Sequence, residues 1–200
     1  MLFKRTPRST PKASTGQQTL AEQLDALGIA HKELPPLSST AVPPSIPDLQ
    51  ARYEAGAALI KADPHTTKIN TTELRFLAYG LDFIDFARSG FGITLTLAES
   101  DVTAVEQIAD NAHRAYVSRK MPNDRLEHWA TGFAGYLGLL ILTHKGGTWV
   151  SESPIPDAGP GIQVGNGDVY FVLSKAYRRI RDGDEDNLVH FYRSIPYQRN

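Results

Sequence analysis

A helix-rich α+β fold is predicted, with about seven helices and a small three-stranded antiparallel sheet in the C-terminal half. Two observations carry it. From Leu20 to Leu142 the apolar residues recur at helical spacing, broken by proline and glycine. After Gly147 the period shortens to two, in runs around Trp149, Ile162 and Val169, and Asn166-Gly167 stands between the last two as a hairpin signal. The chain has 200 residues, 41% of them apolar and 22% charged, which suits one globular domain able to bury a sizeable core.

Lys4, Arg5, Arg8 and Lys12 have no acidic neighbour and no apolar periodicity around them, so residues 1–18 are expected to be a disordered basic tail ahead of a single domain at 19–200. The apolar run of a secretory signal does not follow these charges. Thr19-Leu20-Ala21-Glu22 reads as a capping box for a short helix over Leu20, Leu24 and Leu27 that Gly28 ends. Five prolines between Pro35 and Pro47 forbid helix and make 35–47 a stiff connector, which also accounts for the polyproline-like spacing of Pro44-Ser45-Ile46-Pro47. Leu49, Tyr53, Ala57 and Ile60 place a helix from Asp48 to Ala62, and Thr71 or Thr72 caps the next, through Leu74, Leu77, Leu81 and Ile84 to Arg88. Ile93 to Leu97 alternates as a short strand or a loop. Ser100-Asp101 caps a helix with Val102, Val105, Ala109, Ala112 and Tyr116 on its apolar face, which should stop near Met121-Pro122.

The longest helix opens at Asn123 or Asp124 and ends at Gly146-Gly147. Leu126, Trp129, Phe133, Leu137, Leu140 and Ile141 fall on one side, while Gly132, Gly135 and Gly138 walk around the other with Leu139. Each internal glycine costs about 1 kcal/mol of helix propensity against alanine, so three at this spacing imply close backbone approach to another element. The apolar core of this helix, Phe133 to Leu142, falls well short of the roughly 20 residues needed to span a bilayer. Strands are expected at Thr148–Ser151, Ile162–Val164 and Asp168–Leu173, with a proline- and glycine-broken loop after the first. Ser174 then caps a helix to Arg181, Gly183 closes it, and Asp184 or Asp186 opens a last helix carrying Leu188, Phe191 and Tyr192.

No cysteine is present, which removes thiol nucleophiles, thiolate metal sites and disulfides together. Phosphate loops, dinucleotide fingerprints, nucleophile elbows, H-E-x-x-H pairs and calcium loops are also missing from the sequence. The one candidate polar site is Glu106, Asp110 and His113 along a helical edge, with His128 on the following helix beside Asp124. The first three sit about 100° from the centre of the apolar face, so they read as a solvated rim whose joint replacement by alanine would change stability little. His144 falls on the apolar side near a helix end and reads as a capping imidazole. Lys175, Arg178, Arg179 and Arg181 flank Tyr177 as a nucleic-acid surface would, but Asp182, Asp184, Glu185 and Asp186 follow at once. With 21 basic against 22 acidic side chains the chain has no field to collect polyanions, and a protein is favoured over nucleic acid or membrane as partner.

Gly135-Tyr136-Leu137-Gly138 on a helix, Gly146-Gly147-Thr148-Trp149 at its exit, and Arg179-Ile180-Arg181-Asp182-Gly183 leading toward Phe191-Tyr192 resemble an uncharacterised bacterial domain-of-unknown-function family. The family shows a Y-L-G helix, a G-G-x-W turn and a basic, glycine-broken double helix, and the likeness covers about 102–195. It implies a bacterial cytoplasmic α+β domain and assigns no catalytic residue. An acidic residue follows Y-L-G in the family pattern, where this chain has Leu139. The reading that suits all of this is a non-enzymatic, protein-binding domain of immunity or adaptor kind, without cofactor or metal. The alternative is a small-molecule-binding or hydrolytic enzyme with a site between the glycine-bearing helix and the Trp149 sheet, drawing on Glu127, His128, His144 or Asp168.

Overall fold

The computed structural model describes residues 44–62, 70–151, 159–165 and 167–197, all within one compact unit, 32–200. The expected tail, the helix over Leu20 to Leu27 and most of the proline-rich connector lie outside the described residues. Helix α1 is Ile46–Ala62, α2 Thr71–Phe91, α3 Asp101–Val117 and α4 Asn123–His144. Strands β1 (Thr148–Val150), β2 (Gly161–Val164) and β3 (Asp168–Tyr170) follow, then α5 (Val172–Asp182), a 3-10 turn at Asp184–Asp186 and α6 (Leu188–Ser194). Six α-helices are therefore present among the described residues, against about seven expected for the whole chain.

Local chemistry explains where the boundaries moved. Helix α1 starts at Ile46 because Ser45 and Asp48 cap it reciprocally, the Ser45 amide donating to Asp48 Oδ2 at 2.8 Å and the Asp48 amide to Ser45 Oγ at 3.3 Å. Pro47 sits in the first turn, where a missing N–H costs nothing, so the connector ends before Ser45. The α2 cap is Asn70 and not Thr71 or Thr72. Asn70 Oδ1 accepts from the Glu73 amide at 3.0 Å, and Nδ2 donates to the Trp149 carbonyl at 2.7 Å, tying the helix start to β1. Residues 93–100 are loop. Helix α3 stops at Val117, short of Met121, where Arg119 turns left-handed at φ 57° and the Lys120 and Met121 amides both reach the Ala115 carbonyl. Strand β3 ends at Tyr170, not Leu173, because α5 already begins at Val172.

The three strands form one antiparallel sheet in the order β1-β2-β3, with Trp149 opposite Ile162 and Ile162 opposite Tyr170. The β2–β3 hairpin closes with the Gly167 amide on the Val164 carbonyl at 3.0 Å. Helix α4 is the centre of the fold, buried at every position from Phe133 to Leu142. Close backbone approach occurs at one of the three glycines, Gly135, while the other two receive aromatic side chains. A Cβ on Gly135 would lie 2.4 Å from the Gly80 nitrogen and 2.7 Å from the Phe76 oxygen, so the α4 backbone rests directly on α2. Gly132 receives the Phe83 ring. Gly138 receives the Trp149 indole, which also stacks on Phe76 at 4.2 Å between centroids and 16° between planes. Leu139 is buried against Gly80 as part of the apolar core. Gly147, at φ 112°, lets α4 stop and Trp149 fold back. On the outer side of α2, buried Glu73 is paired with Arg52 of α1 at 2.6 Å.

Among the described residues no helix is long and apolar enough to cross a membrane.

Candidate functional site

Helix α3 presents Glu106, Gln107, Asp110, Asn111 and Arg114 in a stripe, the i, i+1, i+4, i+5, i+8 pattern of one helical face. Opposite them stands Arg179 of α5, and Gly183, at φ 89°, turns the chain so that Asp184 returns to the same opening. Together these seven residues line a wide-mouthed cleft of about 480 Å³.

The cleft is organised by a buried cation. Arg179 is only 1% exposed, and its Nε donates to Glu106 Oε1 at 2.7 Å while Nη2 lies 3.1 Å from Asp184 Oδ1 and 3.6 Å from Asp110 Oδ1. Glu106 is used from every side: Asn187 Nδ2 donates to Oε1 at 3.0 Å and the Leu188 amide, at the start of α6, to Oε2 at 2.8 Å. Asp110 also pairs with Arg114, whose hydrogen bond outweighs burial and holds its carboxyl below the ordinary aspartate range. Three carboxylates face two guanidinium groups, and the mouth is formed by side chains that reach water, Asp184 at 88% exposure and Arg114 at 71%.

Glu106 is thus not the solvated rim expected from its angular position, because α5 and α6 cover that side of α3, whereas Asp110 stays a third exposed at the edge of the cleft. His113 stands one turn further along, where its Nδ1 donates to the Ile180 carbonyl at 2.9 Å and its ring rests on Gly183. It braces the α5 exit and does not line the cleft. His128 is exposed near the start of α4 and is not brought to this group. Among the described residues no set of three acidic or histidine side chains is arranged to hold a metal ion. Sequence reasoning missed Arg179 and Asp184. A signal existed for the first, since Val172, Ala176, Arg179 and Ile180 share one face of α5, which puts an arginine in the core stripe.

A second polar group ties the 93–100 loop to α4. Asp101 Oδ2 accepts from the Thr96 amide at 2.7 Å, the Ala98 amide at 3.2 Å and the Tyr136 hydroxyl at 2.7 Å, while Ser100, the expected cap, makes no capping bond. Burial and the adjacent Asp101 carboxylate drive the Tyr136 phenol well above its usual pKa. His144 Nε2 donates to the Leu97 carbonyl at 2.7 Å, which fixes the proton on that nitrogen; it holds the loop and does not cap its own helix. On the same loop, Glu99 is penalised by burial, but the Tyr192 and Tyr197 hydroxyls, then Lys145 and His144, outweigh it and lower its pKa. A carboxyl depressed in the folded state stabilises above its unfolded value of about 4.3 and loses that contribution as pH falls through the folded value. The Tm deficit of Glu99→Gln is therefore expected to be full at pH 6 and to shrink steadily below about pH 4. A deficit that grows on acidification would contradict this.

Gly135, Tyr136, Leu137, Gly138, Gly147 and Trp149 serve packing, with the Tyr136 hydroxyl bonded to Asp101, while Gly146, at φ 80°, closes α4 with its amide on the Ile141 carbonyl at 3.0 Å. Between the glycine-bearing helix and the sheet the space is filled by the Trp149 ring seated on Gly138. Glu127 and His128 lie on the first turns of α4 and His144 at its last, about 25 Å away at 1.5 Å per residue, so these residues do not converge. The basic side chains of α5 face acidic partners or are buried. Lys175 and Arg178 lie on Asp186 at 2.8 and 3.6 Å, Arg181 forks onto Asp182 at 2.6 and 2.7 Å, and Arg179 is buried. No family model, curated protein or solved structure matches the chain.

Proposed function

We propose that this chain is a non-enzymatic protein-binding domain, of the immunity or adaptor kind, and that a polar segment of its partner lies in the cleft between α3 and Asp184. The observation that carries this reading is the cleft itself: wide-mouthed, rigidly floored by Arg179, and lined by groups that are mostly already paired. Preorganised, paired charges in an open groove confer specificity on a macromolecular partner. Proton transfer is poorly served by the same set. Glu106 is locked as an acceptor by three donors, Asp110 is held ionised by Arg114, and the remaining linings are amides, guanidinium groups and an exposed aspartate. Less fully engaged are the Gln107 side-chain amide, the Asn111 side-chain oxygen, the exposed Asp184 beyond its bond to Arg179, and the buried Arg179 Nη1, a mixture of donors and acceptors that suits a peptide offering both. The Gly135-Tyr136-Leu137-Gly138 resemblance adds a bacterial, cytoplasmic setting to the proposal.

Asn111→Arg and Gln107→Arg put bulk and charge into the cleft at exposed positions, where surface changes cost within about 0.5 kcal/mol. Affinity capture of the tagged full chain from its native cell is expected to retain a specific protein that both variants lose while melting like the parent. Retention of the same protein by both variants would remove the cleft from the binding surface.

A further inference from the structure

Arg179 meets its three acids unevenly. Its Nε donates to Glu106 at 2.7 Å and its Nη2 lies 3.6 Å from Asp110, so these two carboxylates of α3 take the side of the guanidinium that Nε and Nη2 share. A guanidinium has a second face, the fork between Nη1 and Nη2, which matches both oxygens of one carboxylate. Only half of that fork is used. Asp184 Oδ1 stands 3.1 Å from Nη2, while Nη1 is buried and has no hydrogen-bond partner. Asp184 is also the least firmly held of the three acids. Its side chain is 88% exposed, against 14% for Glu106 and 33% for Asp110, and among the described residues Arg179 is its one ion-pair partner.

We propose that the Nη1–Nη2 fork of Arg179 is a carboxylate-binding subsite of the cleft, that Asp184 fills it incompletely from within the chain, and that a carboxylate of the partner segment displaces Asp184 and engages both nitrogens. This rests on the binding role of the cleft given above and adds the chemistry of what enters it. The exchange is neutral in charge, since one carboxylate leaves the guanidinium as another arrives, and Glu106 stays on Nε throughout. Asp184 turns into water by rotating its own side chain, without moving α3 or α5, and an exposed ion pair of this kind is cheap to break. The place it gives up is at the mouth of the cleft, open to the entering segment. An ammonium would bring no acceptor for Nη1, and a neutral amide would bring a single oxygen to a charged, two-pronged donor. Gln107 and Asn111, one helical turn apart on the α3 wall, are left to pair with the backbone on either side of that carboxylate.

Titration of short peptides into the full chain tests this, read from the nitrogen-15 signals of the Arg179 guanidinium and of the Gln107 and Asn111 side-chain amides. Acetyl-glycyl-aspartyl-glycinamide is expected to shift these signals saturably at millimolar concentration, and its asparaginyl isostere to bind about tenfold more weakly. Acetyl-triglycine, whose one carboxylate is its chain end, separates the two sources: whichever acid binds more tightly names a side chain or a terminus, and either supports the subsite. Asp184→Ser removes the internal competitor and is expected to bind the aspartyl peptide about tenfold more tightly than the parent. Asp110→Asn takes away the same charge nearby without clearing the fork, so it should raise affinity by less than about threefold. Equal binding of the aspartyl and asparaginyl peptides, no saturable shift in parent or Asp184→Ser, or an equal gain in Asp110→Asn and Asp184→Ser would each overturn the proposal. Peptides that fail to bind while capture still finds a cleft-dependent protein overturn the subsite alone, whereas peptides that bind while capture fails remove the protein partner and leave the subsite.

Discussion

Gly135→Leu is expected to lose the native fold, although leucine is the better helix former by nearly 1 kcal/mol. Even a bare Cβ at this position would stand 2.4 Å from the Gly80 nitrogen, 2.7 Å from the Phe76 oxygen and 2.8 Å from the Tyr79 carbonyl carbon. All three atoms are backbone of α2, which cannot turn aside as a side chain would. Ordinary overpacking costs about 1–3 kcal/mol, and prising two central helices apart along their buried faces exceeds that. A loss of about 4 kcal/mol or more is a large part of the 5–15 kcal/mol that stabilises a domain. Gly132→Ala is the internal comparison. Its new methyl would meet the Phe83 ring at 3.1 Å, a side chain that can give by a few tenths of an ångström, so the change is expected to be mild. Thermal unfolding followed by circular dichroism separates the two, and a Gly135→Leu protein that melts at or above the parent would show that α2 and α4 are not in contact there.

Glu106→Ala carries the second large effect. It leaves the Arg179 guanidinium buried with its principal counter-charge gone and strips the Leu188 amide and Asn187 of their acceptor. Breaking a buried pair from one side costs about 3–5 kcal/mol, for a chain of this size a fall in Tm of roughly 10 °C or more. The cost arises from the stranded cation, so Glu106→Gln with Arg179→Met, which removes the charge and keeps an acceptor for Leu188, is expected to be milder than Glu106→Ala alone. Asp110→Ala, whose main partner Arg114 is a surface side chain, belongs within about 1 kcal/mol of the parent. A Glu106→Ala protein that melts within a degree or two of the parent would return this residue to the solvated rim expected from the sequence.

That rim was misplaced for a definite reason. Helical periodicity gives the angle at which Glu106 and Asp110 leave α3, but not what stands at that angle. The wall there is α5, some seventy residues later in the chain, and it arrives carrying an arginine in its apolar stripe. The same limit applies to Lys145, an ordinary basic residue at a helix end until Tyr192 and Tyr197 close over it, and to Leu97, whose φ follows from Tyr136 and His144 and from nothing adjacent in sequence.

Local rules were enough for the order of the described helices and strands, for the hairpin between β2 and β3, and for a helix whose glycines receive close neighbours, of which only Gly135 meets a backbone while Gly132 and Gly138 receive aromatic rings. Those features depend on side-chain period, turn residues and steric size, which are properties of neighbours along the chain. Which backbone Gly135 would meet, which acid would neutralise Arg179 and which ring would cover Lys145 were decided only when distant segments packed, since burial and charge pairing are set by neighbours in space.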